Sequence, residues 1–269
     1  MAKNKLAKFA DMKQIDFVLQ YPFAVLQQQG FPMRGKWHSD FFHNDNPIVL
    51  ELGCGKGEYT VALAQRYPGR NYIGIDIKGA RMWSGATRAR DLGLKNVAFL
   101  RTSIELLDSF FAPGEVGEIW ITFADPQMKK QRKRLTSVRF LELYRRVLAD
   151  GGLINLKTDS AFLYNYTRAL CMANPAAISV NHDVDNLYAL DADTAPTPLD
   201  IRTHYEQQWL DRGLTIKYLQ YALDTTTPLA EIDDTGIERD TYRSYSRGYI
   251  QMPELMADHV QSPNPNLPN

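Results

Sequence analysis

IVLELGCGKG, residues 48–57, carries the reading of the fold. Aliphatic residues around one carboxylate, Glu51, predict a short buried strand at 48–52. Glycines follow at once at 53, 55 and 57, and helical periodicity runs over 59–66 behind them. A strand, a glycine-rich turn and a helix in that order open a ligand crevice, because glycines let the backbone turn tightly and come close to a bound molecule. The spacing is G-x-G-x-G. It is not the dinucleotide G-x-G-x-x-G, because Glu58 stands where that motif's third glycine would be.

The same alternation continues outward. Strands are predicted at 71–77, 97–100, 118–123, 152–157, 178–184 and 215–221, and helices at 80–91, 138–148, 161–172 and 201–211. Strands separated by helices need crossover connections, which place them in a largely parallel sheet. The expectation is an α/β, Rossmann-like doubly wound fold: one domain over 47–222, built on a mostly parallel seven-stranded sheet with helices on both faces. Residues 1–46 read as a basic and aromatic N-terminal arm. After Leu223 the rhythm stops. Residues 223–269 hold eight acids against three arginines and end in QSPNPNLPN, which reads as a peripheral acidic extension with disordered final residues.

Bulk composition narrows the function. The chain has 269 residues, with 31 basic and 31 acidic side chains. It is therefore no general polyanion binder, and any nucleic-acid affinity must come from uneven charge. Cys54 and Cys171 are far apart and outside any C-x-x-C spacing, which fits a reducing compartment without a disulfide framework. Five histidines show no metal-ligand spacing, so no metal is expected. No apolar stretch approaches the roughly 20 residues that span a bilayer, and the first residues lack the apolar core of a signal peptide. A cytoplasmic protein without membrane contact is the expectation, and its oligomeric state is left open.

Two acids specify a ligand. Asp76 closes the second strand, placed to accept ribose hydroxyls or to cap the helix that follows. Glu51 lies inside an apolar strand, which is costly unless the carboxylate is paired, ligand-bound or at a wet rim. A ligand with a cationic amino-acid end and a ribose uses both acids. S-adenosylmethionine has those two ends, whereas a nicotinamide dinucleotide has a pyrophosphate and no amino-acid moiety. Cys54 reads as a small packed residue, since no base is spaced to activate it.

Asp125-Pro126 stands at the end of the 118–123 run, and residues 129–139 read KKQRKRLTSVR, six cations without an acid. Asp-Pro alone is a common turn starter. Between a strand and a cationic run it reads as a reaction centre at the edge of a nucleic-acid footprint. Lys129, Lys130, Arg132, Lys133 and Arg134 are then phosphate contacts that position RNA without reading its sequence. Lysines 3, 5, 8 and 13 either extend this footprint or form a solvated arm. Asp159 is either a second site carboxylate or the N-cap of the helix at 161–172, a role open to Ser160 as well. Thr203-His204-Tyr205-Glu206 has the form of a capping box, and the same helix start can offer its N-terminus to a base or phosphate.

The glycine loop, Gly74-Ile75-Asp76, the FADP corner with its basic run, Leu156-Lys157-Thr158-Asp159 and Thr203-His204-Tyr205-Glu206 occur in this order. Together they resemble the bacterial tRNA (guanine-N7-)-methyltransferase family of class I S-adenosylmethionine-dependent methyltransferases, over about residues 47–222. The resemblance implies methyl transfer to N7 of guanine 46 in the variable loop of tRNA. It implies that Glu51, Gly53, Gly55, Gly57, Asp76, Ser103 and Asp125 contact the methyl donor. It also implies that Lys129, Asp159, Thr203, Tyr205 and Glu206 contact tRNA and that Asp125 is catalytic. The family usually has Ser before the acid and Trp-Pro after the first Pro. Here Ala124, Gln127 and Met128 stand there, and Ser103 replaces a frequent acid.

Guanine N7 presents an in-plane lone pair. No proton need leave before attack, so alignment and exclusion of water are the main tasks. Asp125 and Asp159 are the carboxylates placed to favour the cationic product or to hold the base. Two rivals remain. An adenine-amino methyltransferase usually carries a second Pro and an aromatic after its acid-Pro corner, which this chain lacks. The other is a tRNA-binding protein of the same fold that has lost catalysis.

Overall fold

The computed structural model describes residues 2–190 and 200–241, with side chains from residue 5. Among these residues eight strands form one sheet: β1 Val18–Leu19, β2 Ile48–Leu52, β3 Asn71–Ile75, β4 Val97–Leu100, β5 Val116–Thr122, β6 Leu148–Thr158, β7 Ile178–Val184 and β8 Lys217–Leu223. The α-helices are α1 Ala2–Met12, α2 Phe23–Gln29, α3 Glu58–Arg66, α4 Gly79–Asp91, α5 Leu107–Phe110, α6 Val138–Tyr144, α7 Ala161–Ala173 and α8 His204–Leu210. The sheet order is β1-β4-β3-β2-β5-β6-β8-β7. Pairing is parallel throughout except for β8, which runs antiparallel to both β6 and β7. The order reverses between β2 and β5, the switch point where such sheets open a crevice at their strand C-termini.

The sheet has eight strands where the sequence predicts seven. The addition is β1, whose Val18 and Leu19 pair in parallel with Phe99 and Leu100 at the edge. Two residues show no alternation to read, so tertiary pairing alone makes them a strand. Residues 5–46 are packed onto the same domain. Met12, Ile15 and Val18 join the core on one face of the sheet, and Leu26, Phe31, Trp37 and Phe42 join it on the other. Trp37 is fully buried, stacks on Phe111 at 5.3 Å and donates its indole N–H to the Phe110 carbonyl. Each such aromatic or aliphatic side chain contributes roughly 1.5–3 kcal/mol by leaving water.

Beyond shifts of a few residues at element ends, two further readings change. The helix expected over 138–148 stops at Tyr144, because Leu148 is needed opposite Val116 as the first residue of β6. The described part of the acidic extension is no loose tail. From Asp224 to Asp240 it is strapped across the basic segment: Gln131 donates to the Ile232 carbonyl at 2.8 Å, the Tyr166 hydroxyl donates to Glu231 at 2.7 Å, and Asp234 pairs with Arg134. The expected disorder of the last residues lies outside the described residues.

Strand β2 shows how the fold aims its one acid. Residues alternate sides of the sheet. Ile48, Leu50 and Leu52 face the core cluster that holds Leu141 and Leu163, while Val49 joins the opposite cluster that holds Tyr59 and Val61 of α3. Glu51 shares the Val49 face and points toward α3. Its register partner on β3 is Gly74, where an added Cβ would lie 2.9 Å from the Thr60 hydroxyl. The missing side chain lets α3 bring Thr60 down onto the Glu51 carboxylate.

Candidate active site

The C-termini of β2, β3 and β5, the glycine loop and the start of α8 enclose a cavity of about 380 Å³. Glu51, Gly53, Gly55, Asp76, Asp125, Thr203 and Tyr205, all expected at the site, line it. Gly53 and Gly55 have φ of 76° and 56°, the left-handed region that side chains disfavour. A Cβ on Gly53 would meet nothing within 4 Å, and one on Gly55 only the Gly53 carbonyl at 3.9 Å. The space above the loop is thus open to a ligand, and a side chain would fill it. Gly57 serves differently. It does not line the cavity, and its Cβ would collide with Phe99 at 2.6 Å and approach the Gly85 Cα at 3.2 Å. Gly57 and Gly85 together let α4 lie against the loop.

Glu51 is 4% exposed and accepts from the Thr60 amide at 2.8 Å, the Thr122 hydroxyl at 2.7 Å and the Thr60 hydroxyl. Burial pushes its pKa from 4.5 up to about 7, against the Thr60 and Thr122 hydrogen bonds that favour the ionised form; Asp76 adds a smaller upward push. Among the described residues no cationic side chain pairs with this carboxylate, which leaves it able to receive a cationic ligand group. Asp76 accepts the Gly55 amide at 2.9 Å through one oxygen and the Lys78 amide at 2.7 Å through the other, so its orientation is set before any ligand arrives. An acid for an ammonium, an acid for a ribose and an open glycine cradle fit S-adenosylmethionine. Cys54 is buried, and burial together with Glu51 and Asp76 raises its thiol pKa well above 9, which leaves it unreactive.

Asp125 is exposed in a loop with two non-glycine residues at positive φ, Phe123 at 51° and Gln127 at 47°. Its carboxylate accepts the Gln127 amide at 3.0 Å. Such conformations cost on the order of 1–3 kcal/mol each and persist where the surroundings enforce them. Pro126 is buried beneath the loop, and Arg134 ties it from below by donating to the Gln127 and Met128 carbonyls at 3.3 and 3.1 Å.

That role corrects the expectation for Arg134. Its side chain is fully buried, paired with Asp234 and sandwiched between Phe162 and Tyr166 at 4.6 and 4.4 Å, so it cannot meet RNA. Lys129, Lys130, Arg132 and Lys133 are exposed. Glu206 is corrected likewise. It is fully buried, it completes the capping box with Thr203, and it receives Lys157 at 2.8 Å and the Tyr188 hydroxyl at 2.5 Å. Burial lowers the Lys157 pKa while Glu206 pulls it back up. This pair locks the end of β6 to α8 and so fixes Thr203 and Tyr205 at the cavity. Asp159 is 2% exposed, does not line the cavity and faces Lys217 electrostatically. Ser103 is half-buried before the turn at 104–106 and lies off the cavity lining.

Sequence reasoning missed Tyr59, Thr122, Phe123, Lys78, Arg81 and Trp209, which also line the cavity. Thr122 and Phe123 had a signal, since Thr122 ends β5 and Phe123 follows it just before the Asp125 corner. Trp209 had none, because its arrival depends on how α8 packs. Glu58 accepts the His204 amide at 2.8 Å, so the residue that breaks the dinucleotide motif ties α8 to the glycine loop. Among the described residues no group of three or more His, Cys, Asp or Glu is placed to hold a metal, and no helix is long and apolar enough to cross a membrane.

Residues 45–219 match a family model described as "Putative methyltransferase". A tRNA (guanine-N(7)-)-methyltransferase of Porphyromonas gingivalis is 61% identical over 238 residues, 88% of this chain and 96% of that protein. One from Bacteroides fragilis is 55% identical over 247 residues, 92% of this chain and 96% of that protein. Among solved structures, the 16S rRNA methyltransferase KamB superposes with a TM-score of 0.51 at 14% identity, covering 77% of this chain and 95% of its own, a likeness of fold.

Proposed function

The chain belongs to the family of tRNA (guanine-N(7)-)-methyltransferases, and on that premise we propose that it carries methyl from S-adenosylmethionine to N7 of guanine 46 of tRNA, in the cytoplasm. The observation that carries the reading is the position of Asp125. It lines the glycine-loop cavity and also a second cavity walled by Lys129 and Lys130. One carboxylate therefore stands between a site suited to the methyl donor and a surface suited to phosphates.

Bound in the first cavity, S-adenosylmethionine supplies a sulfonium methyl open to in-line attack by a nucleophile with its own electron pair. Guanine N7 brings that pair, so the chain's residues hold, orient and exclude water. Glu51, held by Thr60 and Thr122, takes the ammonium. Asp76 takes the ribose hydroxyls, and Gly53 and Gly55 admit the ligand close to the backbone. Asp125 faces the positive charge that guanine gains and favours it electrostatically. Thr203 and Tyr205 wall the base side. Asp159 and Glu206 act from behind, as supports. Lys129, Lys130, Arg132 and Lys133 contact tRNA phosphates.

Incubation with labelled S-adenosylmethionine and unmodified tRNA, followed by nucleoside digestion, tests this directly. Label in 7-methylguanosine is expected, and it should vanish from a tRNA whose guanine 46 is replaced by adenine. Label in a methyladenosine, or none despite tRNA binding, would sink the proposal.

A further inference from the structure

The second cavity, about 380 Å³, has walls from two distant parts of the chain. One is the 127–130 loop after Asp125. The other is Arg239 and Asp240, from the strap that follows β8. Asp240 is 8% exposed and accepts the Phe162 amide at 3.0 Å and the Ser160 hydroxyl, so its charge is committed to the start of α7. That anchor, with Asp234 on Arg134 and Gln131 on the Ile232 carbonyl, holds Arg239 at the cavity. Arg239, Lys129 and Lys130 are exposed, and among the described residues none of the three forms an ion pair. Two acids also line the opening, Asp240, engaged at the start of α7, and Asp125, shared with the first cavity; the three cations outnumber them and make a site for an anion, and a planar guanidinium suits a phosphate.

We propose that Arg239 is a tRNA-binding residue. With Lys129 and Lys130 it grips the phosphodiester backbone beside the guanine presented to Asp125, which makes the acidic strap at 224–241 part of the RNA-binding face. The strap supplies the opposite wall, so a nucleotide reaching Asp125 passes between the two sequence segments. This rests on the proposed function.

The test is Arg239→Gln, with tRNA affinity measured across a salt series and steady-state kinetics beside it. The variant should bind tRNA about 5- to 10-fold more weakly. Its slope of log affinity against log salt should fall by about 0.7–0.9, the value of one lost phosphate contact, with the kinetic loss in KM for tRNA. Arg239→Lys should keep most of the slope. Affinity for S-adenosylmethionine and the thermal midpoint should match the parent, since Arg239 is exposed. An unchanged slope and KM in an active parent enzyme would overturn this inference and leave the proposed function standing. A lowered thermal midpoint with weakened methyl-donor binding would also overturn it, by making Arg239 structural. A parent protein that neither binds nor methylates tRNA would bring down the functional reading and this inference together.

Discussion

Glu51→Gln separates what the buried carboxylate costs the fold from what it contributes to the site. In the ligand-free protein burial places the Glu51 pKa at about 7, against 4.5 ordinarily. That interval corresponds to roughly 3 kcal/mol. The sign follows from proton occupancy. Below about pH 4.5 the carboxyl is protonated in both folded and unfolded chains and costs nothing. Between about pH 4.5 and 7 the unfolded chain ionises while the folded one resists, so stability falls, and above about pH 7 the full cost is present. Glutamine has no such titration. Its carbonyl can accept from Thr60, and the Thr122 hydroxyl can rotate to accept from its amide. Denaturant unfolding should therefore find Glu51→Gln up to about 3 kcal/mol more stable than the parent at pH 8, with the gap closing toward pH 4.5. Binding should move the other way. If the ammonium needs ionised Glu51, parent affinity for S-adenosylmethionine should drop about 25-fold, or ~2 kcal/mol, between about pH 7.5 and 5.5. Over most of that range the ligand's amino group stays protonated, with its pKa near about 7.7. The variant should bind weakly with no such acid limb. Calorimetric titration showing parent-like affinity in Glu51→Gln, or a stability difference that does not change with pH, would refute the reasoning.

Four other perturbations probe separate parts. Gly85→Ala would bring a Cβ to 2.6 Å from the Lys56 carbonyl; pushing α4 off the glycine loop should cost about 1–3 kcal/mol and weaken methyl-donor binding, read by thermal shift and titration. Arg134→Met should lower unfolding free energy by about 3 kcal/mol, because Asp234 loses its buried partner, while the salt slope of tRNA binding by the folded variant stays near the parent's. Changing Lys129 and Lys130 together to Ala should instead leave stability within about 0.5 kcal/mol and reduce the salt slope by about 1.4–1.8. Asp125→Asn should cut single-turnover methyl transfer by about 10²–10³-fold with tRNA affinity near normal; loss of binding with intact transfer in the bound complex would remove Asp125 from catalysis.

Much of the fold was legible because it rests on local signals. The alternation of apolar runs with 3.6-residue periodicity places all seven longer strands, and glycines 53 and 55 mark the turn that opens onto the cavity. Acids were harder to read. Asp76 stands out just past the end of β3, and Glu51 because it interrupts the apolar run of β2. Asp159 and Glu206 carry the same charge at strand or helix ends, yet both are buried, Glu206 against Lys157. A capping box and a ligand-facing helix start share one sequence pattern, and here Thr203 and Tyr205 face the cavity while Glu206 turns inward.

The order of residues alone determined the α/β class, the crevice after β2, the pair of acids Glu51 and Asp76 at that crevice, and the Asp125 corner before a cationic run. Those follow from short-range spacing, which the backbone's periodicity converts directly into geometry. Tertiary structure alone decided which cations meet water. Arg134 is indistinguishable in sequence from Arg132 and Lys133, but its surroundings are Phe162, Tyr166 and Asp234, the last a hundred residues away. The same strap carries Arg239 to the site from a segment that reads as peripheral. Burial and ion pairing depend on what the folded chain brings alongside, and no local pattern in the basic run or the acidic extension records that.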